Sequence, residues 1–327
     1  MNVKQKKTDN QVEFTNIVTC YFEEKSIREF CTRLVESMRK TGRSFELVMI
    51  NDGSEDNTFS EIKTLMKEFP EITHAVDFFS NNGQLAAMSC GVDLGEGENF
   101  IFIDSDLQLD PEEIPLLMER FDEGYHIVSG KRRNRQDSLL RKLPSLVANR
   151  IMAKVSGHPL TDFGCTFKIY RGDLVRPFNF GPYKPWKTAF VFRQARKVIE
   201  VDISHHERRY GSSGWGIKKL LYFLFDQVTG LSQRPFLWVA FFSAFISGII
   251  ILRLIITPFL DLTILPQISN GLLLNVLLLI IMLQLSATAF LGEFVFRVFA
   301  RSEGDPIYTI MEHITRDPSD EKSDQND

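Results

Sequence analysis

The sequence has little that would staple a small secreted domain together. Its four cysteines, Cys20, Cys31, Cys90 and Cys165, show no Cys-x-x-Cys spacing, so they are expected to be reduced thiols and nothing suggests zinc. With 20 glycines and 13 prolines in 327 residues, collagen and disordered low-complexity chains are excluded. Neither sign of charge dominates. Lys and Arg number 38 against 42 Asp and Glu, a net charge of −4, which gives no global electrostatic case for a nucleic-acid partner. Residues 1–11 are polar and lysine-containing with no apolar run; no secretory leader is expected, and a disordered N-terminus is. No repeat of 20–50 residues is visible.

What the chain does have is unevenly spread. The averages, 24% charged and 44% hydrophobic, suit an ordinary soluble enzyme, yet residues 236–296 carry only Arg253, Asp261 and Glu293 as charged side chains. Residues 236–257 and 272–296 are two long apolar runs. As a helix the first spans about 33 Å, against a hydrocarbon core of about 30 Å. A transmembrane hairpin over 236–300 is therefore expected. The connector 258–270 has no Lys or Arg, whereas Lys218, Lys219, Arg234, Arg297 and Arg301 flank the pair. The positive-inside rule then predicts an integral membrane protein of the cytoplasmic membrane with both termini and the large domain cytoplasmic. Ahead of the hairpin, Ile217, Leu220, Leu221, Leu224, Val228 and Leu231 recur at helical spacing. Residues 216–235 thus read as an amphipathic helix in the bilayer interface, or as a surface helix packed on the soluble domain. Residues 301–327 read as a polar C-terminal tail.

Residues 12–215 read as one α/β domain. Short apolar runs at 17–19, 45–50, 73–78, 100–103 and 126–129 predict strands, and helix-period segments at 26–40, 58–69, 84–92 and 111–123 lie between them. Such alternation implies a Rossmann-like, mostly parallel sheet, in which ligands bind beyond the carboxyl ends of the strands.

The chemistry-bearing residues fall at those ends. Asp104 and Asp106 close the run Ile101-Phe102-Ile103 and precede Leu107-Gln108. Two carboxylates one residue apart suit a hard divalent cation, Mg²⁺ or Mn²⁺, shared with substrate phosphate oxygens; a capping turn is the alternative. Asn51-Asp52-Gly53-Ser54 ends another strand, where Asp52 serves either a nucleoside or a simple turn. Gly83 and Gln84 open a helix of small residues, either to offer amides to an anion or to allow close packing. The run Gly130-Lys131-Arg132-Arg133-Asn134-Arg135, with Arg141 beyond it, and the later group His205, Arg208 and Ser213 are basic loops suited to phosphate oxygens. Asp162 in Asp162-Phe163-Gly164-Cys165 is a turn former or a sugar ligand. His74, His126 and His158 read as structural or exposed.

In this order and with this hairpin, the set resembles the polyisoprenyl-phosphate glycosyltransferases of glycosyltransferase family 2. The resemblance runs from about residue 17 to 299. It looks nearest to the undecaprenyl-phosphate formamido-arabinose transferase branch, through Asp122-Glu123-Gly124-Tyr125 and Arg135-Gln136-Asp137-Ser138. It implies a GT-A fold and inverting transfer from a nucleotide sugar, UDP-linked by the likeness to that branch, to a polyprenyl phosphate such as undecaprenyl phosphate. It implies metal at Asp104, Asp106 and Gln108; nucleotide at Glu23, Glu24 and Asp52; phosphate at Arg132 in the Gly130-x-Arg132 loop; and Asp162 between donor and acceptor. Catalysis would fall to Asp106, Arg132 and Asp162. Gly83, Gln84, Asp104 and Gln108 would join the nucleotide-sugar set, while Arg132, Arg135, Arg141, His205, Arg208 and Ser213 would hold the acceptor phosphate. A bilayer partner and a homo-oligomer, a tetramer in relatives, are implied as well. Three positions depart from the family pattern: Phe22 stands for an Asn, Asn51 for an Asp, and Gly214-Trp215 for Lys-Tyr. Two other readings stay open, a tethered sugar-nucleotide binder that has lost transfer and a polysaccharide synthase-like transferase.

Overall fold

Strands form where apolar side chains run without a polar face. In the computed structural model, β1 (Phe14–Cys20), β2 (Phe45–Asn51), β3 (Ile72–Phe78), β4 (Asn99–Asp104) and β5 (Ile127–Arg132) cover the five predicted runs. The structure describes residues 12–133, 149–150, 152–154, 156–184, 186–207, 304 and 306–316, with scattered positions between 277 and 298. Arg135, Arg141, Arg208, Ser213, the 216–235 helix and the first apolar run lie outside the described residues.

The chain divides into two units, Met1–Ile217 with Pro306–Asp327, and Lys218–Asp305. The first is built on one eight-stranded sheet that also holds β6 (Lys168–Arg171), β7 (Val198–Ile203) and β8 (Ile310–Thr315), in the order β7-β5-β6-β4-β1-β2-β3-β8. β1 pairs parallel with β2 and β4, β2 with β3, and β5 with β7; β6 and β8 pair antiparallel with their neighbours. Six strands therefore point one way, and the fold is the expected mostly parallel α/β sheet.

Helix α1 (Ile27–Lys40) buries Ile27, Phe30, Cys31, Leu34, Val35 and Met38 at three- and four-residue spacing and ends on Arg39 and Lys40, favourable to its dipole. Helix α2 (Thr58–Glu68) follows β2, and α4 (Ile114–Asp122) follows a 3₁₀ turn begun by Pro111. Helix α3 (Gln84–Leu94) lies close to the sheet: a Cβ on Gly91 would stand 2.4 Å from Ile17 Cγ2. Two short helices, α5 (Gly172–Val175) and α6 (Thr188–Gln194), follow β6. There Phe102, Tyr170 and Trp186 pack with ring centroids 4.8–5.3 Å apart.

The C-terminal tail expectation needs correction. Ile310–Thr315 is a strand, antiparallel to β3, with His74 opposite Thr315. Its side chains are mostly exposed, so its sequence carries no apolar alternation. Backbone pairing holds it, together with buried Tyr308, whose ring stacks on Phe78 at 4.6 Å. In the second unit the described positions from 277 to 298 are helical, and Leu277, Ile281, Leu291, Phe294, Val295 and Val298 are exposed. Among the described residues no helix is long and apolar enough to cross a membrane.

Candidate active site

The last rungs of the parallel ladders are polar. Thr19 stands opposite Asp104, Cys20 opposite Asn51, and Asn51 opposite Asp77. Because these strands share a direction, their carboxyl ends form one edge, and the following loops meet there.

Asp104 is the centre of the edge. Thr19 Oγ1 donates to its Oδ1 at 3.2 Å, Gln84 Nε2 donates to the same oxygen, and Thr166 Oγ1 donates to Oδ2. Donors from β1, α3 and the loop before β6 thus converge on one carboxylate. Burial, then the neighbouring Asp106, push Asp104 up to about 6. Asp106 is itself buried and accepts the Gln108 backbone N–H at 3.1 Å. The intervening turn holds Leu107 at φ +59°, a left-handed conformation that costs a branched side chain energy. Gln108 Nε2 donates to His206 O at 3.4 Å, and His206 N donates back to Gln108 O at 2.9 Å. Glu113 accepts Ser204 N and Oγ, each at 3.0 Å, and His206 Nε2 lies 2.6 Å from Asp110 Oδ2. The segment that leads to the second basic loop, His205 within it, is therefore laced to the acidic turn.

The donor set fits a hard divalent cation. It is all oxygen, and two like charges one residue apart are costly in a buried edge unless a cation or proton neutralises them. Among the described residues no group of three His, Cys, Asp or Glu is placed to hold a metal; substrate phosphate oxygens and water are suited to complete such a shell.

Asp52 is turned inward. Asn82 N and Gly83 N donate to its two carboxylate oxygens at 2.8 and 2.9 Å, and Asn81 Nδ2 donates at 3.0 Å. Burial pushes Asp52 up to about 6 against these amides. The amides at the start of α3 thus already face an anion, Asp52 itself. Gly53 lets the two loops touch: its φ is +67°, and a Cβ there would meet Ser80 C at 2.3 Å. Glu23 is buried, takes the Ser26 hydroxyl, and its N–H donates to Thr58 Oγ1 at 2.9 Å; Glu24 accepts Asn57 N at 3.2 Å. These residues join the loops after β1 and β2.

Arg132 and Asp162 come together across thirty residues. Arg132 Nε and Nη2 each donate to Asp162 at 2.7 Å, and Arg132 N donates at 3.1 Å. Glu200 on β7 accepts Thr161 N and Asp162 N at 2.8 and 2.9 Å, fixing the loop. Strand alternation sends the flanking Lys131 and Arg133 outward, where both reach Asp202 at 3.6 and 3.9 Å. Of the described part of that basic run, Arg132 is the residue that enters the site. At Gly130 the absence of a side chain leaves room for Ile203, since a Cβ there would meet Ile203 Cδ1 at 2.5 Å.

Comparison with known proteins decides the family. A profile described as "Glycosyl transferase family 2" matches residues 15–177. An undecaprenyl-phosphate 4-deoxy-4-formamido-L-arabinose transferase of Klebsiella pneumoniae (strain 342) is 30% identical over 306 residues, 92% of this chain and 93% of the relative. The chain belongs to glycosyl transferase family 2. The enzyme of the same description from Edwardsiella ictaluri (strain 93-146) is 28% identical over 319 residues, 96% and 98% of the two chains. A solved structure, mannosyl-3-phosphoglycerate synthase from Rubrobacter xylanophilus, aligns with TM-score 0.49 and 11% identity over 68% of this chain and 74% of that one.

This family 2 chain is a glycosyltransferase, and two of its departures have physical accounts. Phe22 sits at φ +56°, where Asn is tolerated far better than an aromatic residue. Its N–H donates to Ser54 Oγ at 2.9 Å and its ring meets Tyr21 edge-on at 4.7 Å, which hold the turn. Asn51 donates from Nδ2 to Asp77 Oδ1 at 2.7 Å and accepts Ser54 Oγ at 2.5 Å. A carboxylate at 51 would face Asp77 without a proton to share. Gly214 and Trp215 lie outside the described residues.

Four participants escaped the sequence reading: Thr166, Asp77, Glu200 and Lys168. Each acts across more than twenty-five residues or from a short strand with no motif. Lys168 is the most informative. It is 3% exposed on β6, and its Nζ donates to Phe163 O at 3.3 Å. It thereby closes the loop that starts at Asp162 and ends at Thr166. Burial pushes its pKa below the usual lysine range, while Cys165, Asp162 and Asp104 oppose this.

Two outcomes follow. Asn51→Asp should cost about 1–3 kcal/mol, the penalty of an unpaired buried polar group. With one folded-state carboxyl pKa raised, the loss should grow as pH rises from 5 to 8, as read by denaturant unfolding at both values. Lys168→Met should leave stability within about 1 kcal/mol, since a buried charge is exchanged for an apolar group of similar size. Its transferase rate should nevertheless fall at least about tenfold, about 1.4 kcal/mol in the barrier, in a steady-state assay.

Proposed function

We propose that the chain transfers a sugar, with inversion, from a nucleotide sugar, UDP-linked, to undecaprenyl phosphate or a related polyprenyl phosphate at the cytoplasmic membrane face. The observation that carries the reading is that Asp104 and Asp106 and the Arg132–Asp162 pair stand at the same edge of the sheet, joined by the loop that runs from Asp162 to Thr166, whose hydroxyl donates to Asp104. The named activity of the Klebsiella and Edwardsiella relatives, across almost their whole length, supports the acceptor.

The donor would lie across the ends of β1, β2 and β4. Exposed Tyr21 and Phe22 offer aromatic faces to a nucleobase, and Glu23, Glu24, Asp52, Gly83 and Gln84 shape the loops beneath it. Asp104 and Asp106, with Gln108 beside them, would hold Mg²⁺ or Mn²⁺. When bound, that cation supplies positive charge to the leaving diphosphate. In the reaction an acceptor phosphate oxygen bonds to the anomeric carbon, the bond from that carbon to the diphosphate breaks, and its electron pair leaves with the nucleotide. A phosphate monoester has a second pKa of about 6, so it reaches neutral pH largely as the dianion and requires no strong base. Asp162 therefore orients rather than deprotonates, holding the Arg132 guanidinium in a fixed plane for phosphate oxygens. His205, with Arg135, Arg141, Arg208 and Ser213, would take the lipid phosphate. The exposed apolar side chains of the second unit support a membrane anchor.

Asp104→Asn tests this most simply. With purified protein, labelled donor and polyprenyl phosphate, transfer should drop by at least about 10³-fold with the unfolding midpoint retained; full activity would sink the metal assignment. Mn²⁺ affinity should also depend on pH. Burial and the neighbouring Asp106 raise Asp104 above the usual carboxylate range, so as pH falls protons compete with the metal and affinity should fall toward tenfold per pH unit. Titration calorimetry at pH 7 and pH 5 reads this, and equal affinities would contradict it.

A further inference from the structure

A second cluster lies far along the sheet from the strand ends of β4, at the edge where β8 joins. Val76 stands opposite His313 and His74 opposite Thr315, so His74, His313 and Thr315 share one face. His74 Nδ1 and His313 Nε2 are 3.2 Å apart. Thr315 Oγ1 is 3.4 Å from the first and 3.3 Å from the second. The three atoms form a nearly equilateral triangle.

Hydrogen bonding can fill two edges of this triangle but not the third. A neutral ring nitrogen carries either one proton or one lone pair, and the hydroxyl has one proton. At most two of the three edges can be hydrogen bonds at once. A cation facing three lone pairs satisfies all of them. Tetrahedral zinc with bonds of about 2.0–2.1 Å has ligand–ligand edges of about 3.3–3.4 Å, the spacing seen. The surroundings favour a cation: Glu46, buried on β2, and Glu96 both act on His74 to stabilise positive charge. A neutral imidazole presents one ring-nitrogen lone pair to a cation, and the threonine oxygen presents another.

We propose that His74, His313 and Thr315 bind one divalent transition-metal ion of the zinc class, completed by water, which staples β8 to the sheet. Among the described residues β8 is the outermost strand and pairs with β3 alone. Beyond the ladder, the contacts of its segment include the exposed Lys63–Glu312 pair at 3.2 Å and Arg316 Nη2 on Met66 O at 2.7 Å. In sequence it follows the apolar unit, so a clip here fastens the returning chain to the catalytic sheet. The site is independent of the strand-end carboxylates.

Hydrogen exchange of the full-length purified chain, stripped with chelator and then supplied with Zn²⁺ alone, tests it. At zinc about tenfold above Kd, amides of Ile310–Thr315 should exchange about tenfold more slowly. His74→Gln and His313→Gln should each abolish that slowing while remaining folded, and Asp104→Asn should keep it. Thr315→Val should weaken it. Co²⁺ in place of zinc should give a visible spectrum of tetrahedral intensity that both histidine variants lose. No slowing in the native chain, or slowing that survives in either histidine variant, would overturn the proposal. So would zinc binding that leaves β8 exchange unchanged.

Discussion

The Arg132–Asp162 pair is the constraint on which the site is built. Its side chains are only 17% and 7% exposed, so each charge has lost most of its water and depends on the other. Removing one partner from such a pair costs about 3–5 kcal/mol, because the survivor is left uncompensated. The pair also has two attachments. Arg132 ends β5, whereas Asp162 starts the loop that delivers Thr166 to Asp104. Geometry set at one end of this loop is transmitted to the other by a few rigid hydrogen bonds, among them that of Lys168.

The same logic explains how acidic groups can be gathered at a buried edge. Parallel strands place successive carboxyl ends side by side, and the sequence puts a polar residue on each last rung. Every carboxylate there is met by a donor: Asp104 by Thr19, Gln84 and Thr166; Asp52 by the backbone of 82–83; Asp77 by Asn51. The raised positions of Asp104 and Asp52, about 6 in each case, show that burial still outweighs these donors. An edge poised in this way is receptive to positive charge brought by a substrate complex.

Legibility in the sequence tracked locality. β1 to β5 are legible as nearly unbroken apolar runs and α1, α2 and α4 by an apolar period, whereas α3 buries the continuous stretch from Ala86 to Val92. β6 is four residues long and opens on a buried lysine, which no apolar pattern announces. β7 alternates Val198, Glu200 and Asp202 with apolar residues only in part, and β8 is mostly exposed, with Ile314 alone of its residues partly buried against the core. The acidic turn, Asp52 and Arg132 are legible as strand-end residues, and Asp162 as a turn former or sugar ligand. Their partners are not. That Asp162 would meet Arg132, or that Asn51 would answer Asp77, depends on strand order, and strand order is written in no single segment. The departures at Phe22 and Asn51 looked like losses in one dimension; in three, each is matched by a neighbour.

The central claim is that Arg132 and Asp162 act as one unit. A double-mutant cycle on transfer rate, using Arg132→Gln, Asp162→Asn and both together, measures it directly. The account predicts that the double variant is no slower than the worse single one, a coupling of about 1–3 kcal/mol. Losses that multiply, with the double variant slower by the product of the two, would show that the residues work separately and would contradict it.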